Sequence, residues 1–132
     1  MSDSALKEKI YANNTKKKQY EKVCNAILEN GLASQNDLSD ANNLIDKCKD
    51  YIEKIDGNDG YGYLSKFRDK LDTQKKTIKK YRDFVRDSNK AFVTMYKDLT
   101  DEISSLESAI ESDRSSYNKG KSFGDQIHWW NL

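Results

Sequence analysis

The sequence predicts an all-α fold, a long antiparallel helical hairpin with a short C-terminal tail, and three observations carry that prediction. Proline is absent and only six of 132 residues are glycine, so the two residues that most disfavour helix interiors are missing or scarce. Charged residues make up 34% and apolar ones 36%, against about 25% and about 45–50% in an ordinary domain. Such a chain can fill a narrow apolar seam but not a thick core. Finally, apolar residues recur at alternating four- and three-residue steps over two long stretches, the pattern of helices packed along a seam. Disorder shares this composition, but that periodicity, together with eight tyrosines, four phenylalanines and two tryptophans, argues for folding.

The first stretch starts at Leu6 and runs through Ile10, Tyr20, Cys24, Ile27, Leu38, Ala41, Ile45, Cys48, Ile52 and Ile55, interrupted by Asn13, Lys17, Gly31 and Ser34. It predicts one helix over about 4–56 with a thin waist at Asn30-Gly31, where glycine costs roughly 1 kcal/mol relative to alanine. The alternative is a break near 30–36 with Ser34 or Asp37 capping a new helix. Asp56-Gly57-Asn58-Asp59-Gly60-Tyr61-Gly62 is the densest cluster of turn formers and predicts the turn over 57–62. The second stretch visits Leu64, Phe67, Leu71, Gln74, Ile78, Tyr81, Val85, Ser88, Phe92, Met95 and Leu99, then Ile103, Leu106 and Ile110. It predicts a helix over about 63–115, with the irregular step from Leu99 to Ile103 changing the local supercoil without ending the helix. Residues 116–132 form a tail that ends in Ile127-His128-Trp129-Trp130-Asn131-Leu132. The whole of 1–132 reads as a single helical-hairpin domain.

A turn centred near residue 59 or 60 sets positions opposite each other when their numbers sum to about 119. Charge supports that register. Asp98 to Asp113 is an acidic block opposite Lys7, Lys9 and Lys16-Lys17-Lys18, and Lys75 to Arg82 lies opposite Asp37 to Asp46. The register sets Lys17 across from Glu102 and Gly31 across from Ser88. Exposed pairs contribute about 0–1 kcal/mol each, so the blocks select orientation more than they stabilise.

The net charge of +1 argues against binding nucleic acid through bulk charge. No apolar run approaches the roughly 20 residues of a transmembrane span, and charges in Met1 to Lys9 occupy the place of a signal peptide's apolar core. No stable membrane insertion is expected. The chain contains no P-loop, nucleophile elbow, zinc-protease or dinucleotide signature, and His128, its one histidine, has no neighbouring ligand pattern. Catalytic, cofactor and metal sites are therefore expected to be absent, and the chain is read as no enzyme. Cys24 and Cys48 fall on the seam about 36 Å apart along one helix, too far to bond to each other, and read as buried thiols.

Binding is the class of function that remains. Leu28, Leu32, Leu44 and Tyr51 in the first stretch and Phe84 in the second, with Tyr11, Val23, Tyr63 and Tyr96, miss the seam. Single exposed apolar residues are ordinary, but a second stripe of them on a thin rod predicts that another helix packs alongside. Trp129 and Trp130 are either a separate end contact, as tryptophan is enriched among binding hot spots, or core of a folded-back tail.

Two long helices around the Gly-rich aromatic turn Asp59-Gly60-Tyr61-Gly62-Tyr63-Leu64, followed by Phe67, resemble the WXG-type hairpins of bacterial type VII secretion. More closely, length and coiled-coil character are similar to the small helical proteins that accompany LXG toxins in type VIIb systems, the YwqH-like group. The chain departs from that pattern in lacking Trp-x-Gly and the Tyr-xxx-Asp/Glu or Phe-xxx-Asp export signals, since Phe84-Val85-Arg86-Asp87 is one residue short. The resemblance implies a targeting factor or chaperone in the bacterial cytoplasm. It would bind the N-terminal helical domain of an LXG toxin, alone or with a second small helical helper, and leave with its cargo by a Sec-independent route or stay behind. On it, Leu28, Leu32, Leu44, Tyr51 and Phe84 are the contact face and Trp129 and Trp130 the end contact. The competing expectations are a homo-oligomeric coiled coil that buries the same stripe, and a membrane-surface protein using Lys75 to Arg82 with the tryptophans.

Overall fold

A computed structural model describes residues 1–132. All regular structure is helical: α1 (Asp3–Glu29), α2 (Ser39–Asp56) and α3 (Ser65–Asn118), with 3-10 turns at Asp59–Leu64, Phe123–Asp125 and Trp129–Asn131. No helix is long and apolar enough to cross a membrane. The expected continuous helix over 4–56 is instead two helices, and the cause is local. Gly31 has φ of 68°, in the left-handed region where an α-helix cannot continue. The Gly31 N–H donates to the Leu28 carbonyl and the Leu32 N–H to the Ile27 carbonyl, both at 3.0 Å. This pair of bonds is a Schellman C-cap. Asp37 accepts from the Ser39 N–H at 2.8 Å as the chain enters α2, so the break takes the alternative form, but Leu38, without a side-chain capping bond, is the N-cap in place of Ser34 or Asp37. Those Ser39 hydrogen bonds hold the Asp37 carboxyl below its ordinary value.

The chain divides into two compact units, one of Met1–Ala33 with Val93–Leu132 and one of Ser34–Phe92. In the first, Ile10, Ile110 and Ile127 form the buried cluster, with Tyr117 and Leu132 packed on it. Leu6, Cys24 and Ile27 are buried further along α1. Lys9 pairs with Asp113 at 3.5 Å, Lys17 with Glu107 at 3.9 Å and Lys121 with Asp3 at 2.8 Å. These pairs run in opposite directions along α1 and α3. They match the expected basic and acidic blocks, but Lys17 meets Glu107 instead of Glu102, a shift of five residues.

In the second unit Ile45, Cys48 and Ile52 of α2 are buried. Arg68 grips Asp56 through two nitrogens at 3.0 Å, and Arg82 donates to Asn42 at 3.0 Å. The same five-residue shift appears, Arg82 having been expected opposite Asp37. Its source is the turn. Asp59–Leu64 coils into a 3-10 segment, started by Asn58, whose side chain accepts from the Gly60 N–H at 2.9 Å, so α3 begins only at Ser65.

The shifted register also turns α3 about its axis. Phe67, Gln74 and Tyr81, expected on the seam, are exposed, as are Phe92 and Met95. The less exposed row is Leu64, Arg68, Leu71, Lys75, Ile78, Arg82, Val85 and Asn89. Leu71, Ile78 and Val85 belong to both registers, whereas the half-buried Arg68, Lys75 and Arg82 take the other places, which long aliphatic stems allow. The expected pairing of Lys75 to Arg82 with Asp37 to Asp46 is replaced by pairs within α3: Lys75 and Lys76 with Asp72, Arg82 with Asp83.

Acid sensitivity follows from this network. Hydrogen bonds from Arg68 first, then its charge, hold Asp56 below its ordinary 3.8, and Lys76 does the same for Asp72. A carboxylate lowered in the folded state adds stability above its unfolded value and loses it as pH falls through the lowered one. Melting temperature is expected to be flat down to about pH 4 and to fall below it, with a shallower fall in Asp56→Asn. A pH series of thermal melts checks this.

Candidate partner-binding surfaces

The tail contributes both core and surface. α3 stops where Gly120 takes φ of 77°, and Asn118 then clamps Ile127, donating to its carbonyl at 2.9 Å and accepting from its N–H at 2.8 Å. That clamp delivers Ile127 to Ile10 and Ile110. The Leu132 main-chain oxygen accepts from Asn14 at 3.2 Å and from Lys18. The aromatic rings between these two fixed points face outward. His128 stacks on Trp130 with ring centroids 4.3 Å apart and planes 10° from parallel, and Phe123 lies 4.4 Å from His128 and 6.3 Å from Trp130. Trp129 meets Trp130 edge-on at 5.6 Å, and the two indoles are 72% and 56% exposed. The fold-back and end-contact expectations therefore each describe part of the tail: Ile127 and Leu132 pack inward, while Trp129 and Trp130 stay accessible.

The expected contact face is divided. Leu28 is exposed on α1, but Leu32 lies half-buried beyond the end of that helix, so the two do not share a helical face. Tyr96 is also half-buried on α3 and is not part of an outer stripe. Leu44 and Tyr51 on α2 and Phe84 on α3 are exposed within the second unit. Phe67 and Tyr81 join them, at 53% and 70% exposure. Both were assigned to the seam from the sequence. The signal that would have released them is the spacing of seven between Arg68, Lys75, Arg82 and Asn89, a second row compatible with Leu71, Ile78 and Val85.

Position along each helix places these residues on one side. Leu44 and Tyr51 immediately precede the buried Ile45 and Ile52; Phe67 and Tyr81 immediately precede Arg68 and Arg82. In helices running in opposite directions, these two flanking rows border the same side of the pair. On the other side Arg68 pairs with Asp56 and Asp69, Lys76 with Asp72, and Arg86 with Asp83 and Asp87. On the aromatic side Lys47 and Lys70 make no ion pair, and Lys54 lies 5.9 Å over the Tyr51 ring. No family model, curated protein or solved structure matches this chain.

Proposed function

We propose that this chain is a non-enzymatic helical adaptor, an antiparallel hairpin of coiled-coil type that binds a helical protein partner. In its specific form the proposal is a targeting factor or chaperone, working in the bacterial cytoplasm, for the N-terminal helical domain of an LXG-type toxin bound for type VII secretion. The observation that carries the binding role is the exposed set Leu44, Tyr51, Phe67, Tyr81 and Phe84 on one side of the second unit. Contiguous apolar surface beyond scattered single residues marks interaction sites. The toxin partner is supported by the resemblance of the chain's length and coiled-coil character to the small helical proteins that accompany LXG toxins.

Co-expression with a neighbouring toxin's N-terminal region, followed by gel filtration and hydrogen exchange, tests the proposal. The expected result is a complex that survives dilution to about 1 µM and in which α2 and the first half of α3 gain protection. A chain that remains a fully stable monomer and captures nothing overturns it. Self-association is the second reading, because the same face has no partner within one chain; light scattering across a concentration series separates the two.

A further inference from the structure

From the charge around the aromatic face, and building on its role as an adaptor, we infer that the second unit docks an amphipathic helix flanked by acidic residues. The face is ordered from its centre outward. Leu44 and Tyr51 on α2 and Phe67 and Tyr81 on α3 form two inner rows. Three residues beyond each inner position, the outer rows hold Lys47, Lys54, Lys70 and Phe84, all exposed. Lysines thus edge the apolar strip on both helices, and none of Lys47, Lys54 and Lys70 has an acidic partner. Asp40, near the start of α2, is the one acid on these rows.

That order matches a third helix lying between the first two. Its apolar stripe would cover the inner rows, and Glu or Asp on both flanks of that stripe would reach the lysines on both edges, the arrangement that sets partner choice in helical bundles. From Phe67 to Tyr81 the strip extends about 21 Å along α3, the length of about 14 helical residues. An anionic bilayer would also attract lysines and aromatics. The strip, however, contains Gln74 between the aromatic positions, and hydrocarbon would leave its amide without hydrogen-bond partners, whereas the polar edge of a helix supplies them.

Two synthetic amphipathic peptides of about 18 residues with identical leucine stripes, one flanked by glutamate and one by lysine, are titrated as fluorescent probes onto the full chain. The glutamate-flanked peptide is expected to bind at least about tenfold more tightly, with that preference lost in the double variant Lys54→Glu, Lys70→Glu. Both peptides are expected to lose binding in Tyr81→Ser, Phe84→Ser. All four positions are exposed, and circular dichroism confirms that the variants keep the parent's helix content. Equal affinity for the two peptides, or a preference unchanged in the lysine variant, overturns the inference. So does concentration-dependent dimerisation, or flotation with phosphatidylserine vesicles, that Tyr81→Ser, Phe84→Ser abolishes, because the face would then belong to a second copy or to a membrane. Capture of the toxin region that is indifferent to Lys54→Glu, Lys70→Glu overturns this inference and leaves the adaptor role standing; the peptide preference without toxin capture leaves this inference standing and overturns the toxin as the partner.

Discussion

Replacing Ile10 by alanine is expected to destabilise the first unit by about 2–5 kcal/mol, the range for deleting a buried aliphatic side chain where its surroundings only partly collapse. Ile10 is the one large side chain with no accessible surface. It is also where three separate pieces of chain meet, as it packs with Ile110 of α3 and Ile127 of the tail. Small domains have about 5–15 kcal/mol to lose, so the change is large for a chain with so few buried residues. The tail is held by Ile127, the Asn118 clamp and the bonds to Leu132, and a cavity at Ile10 loosens the first of these. Urea unfolding followed by circular dichroism reads the stability, and indole fluorescence of Trp129 and Trp130 reads the tail. Leu28→Ala, at an exposed site on the same helix, is the control and is expected to stay within about 0.5 kcal/mol of the parent. A loss below about 1 kcal/mol in Ile10→Ala would show that the tail does not depend on this cluster.

The same residue shows what the sequence discloses. Leu6, Ile10, Cys24 and Ile27, then Ile45, Cys48 and Ile52, were placed on the seam by periodicity alone, and all are buried. Burial decides such positions, and periodicity records burial. Periodicity does not favour the break after Glu29, because a count of apolar positions passes through Gly31 without registering its backbone torsion. The sign was the glycine itself, in the C′ position where helices commonly end. On α3 the ambiguity was physical. A row of Leu71, Ile78 and Val85 accepts either Phe67 and Tyr81 or Arg68 and Arg82 as its companions, since arginine's stem packs nearly as an aliphatic chain does. The choice was made by Arg68 with Asp56 and Arg82 with Asn42, contacts between residues distant in sequence that one chain's pattern does not encode. The candidate surface inherited that ambiguity: Leu44, Tyr51, Phe84, Trp129 and Trp130 were legible as exposed apolar residues, while Phe67 and Tyr81 were hidden inside an equally good heptad.

Asn89 closes the ambiguous row, and Asn89→Ala is expected to cost about 1–3 kcal/mol, the penalty for leaving partly buried polar groups without partners. Its side chain is 6% exposed. The amide nitrogen donates to the Ser34 carbonyl at 3.0 Å and the amide oxygen accepts from the Asn36 N–H at 2.8 Å. One side chain therefore satisfies a donor and an acceptor of the segment leading into α2, where no helical hydrogen bond is available to them. Alanine removes both partners at once. Amide exchange near residues 34–38 is expected to speed up well before global unfolding, with the global midpoint falling by less, because the loss is local to this segment. Asn89→Asp separates geometry from chemistry. It keeps an acceptor for Asn36 but loses the donor to Ser34, so its exchange rates should fall between those of the parent and of alanine. If Asn89→Ala leaves exchange at 34–38 unchanged, the entry into α2 is set by Gly31 and Asp37 alone.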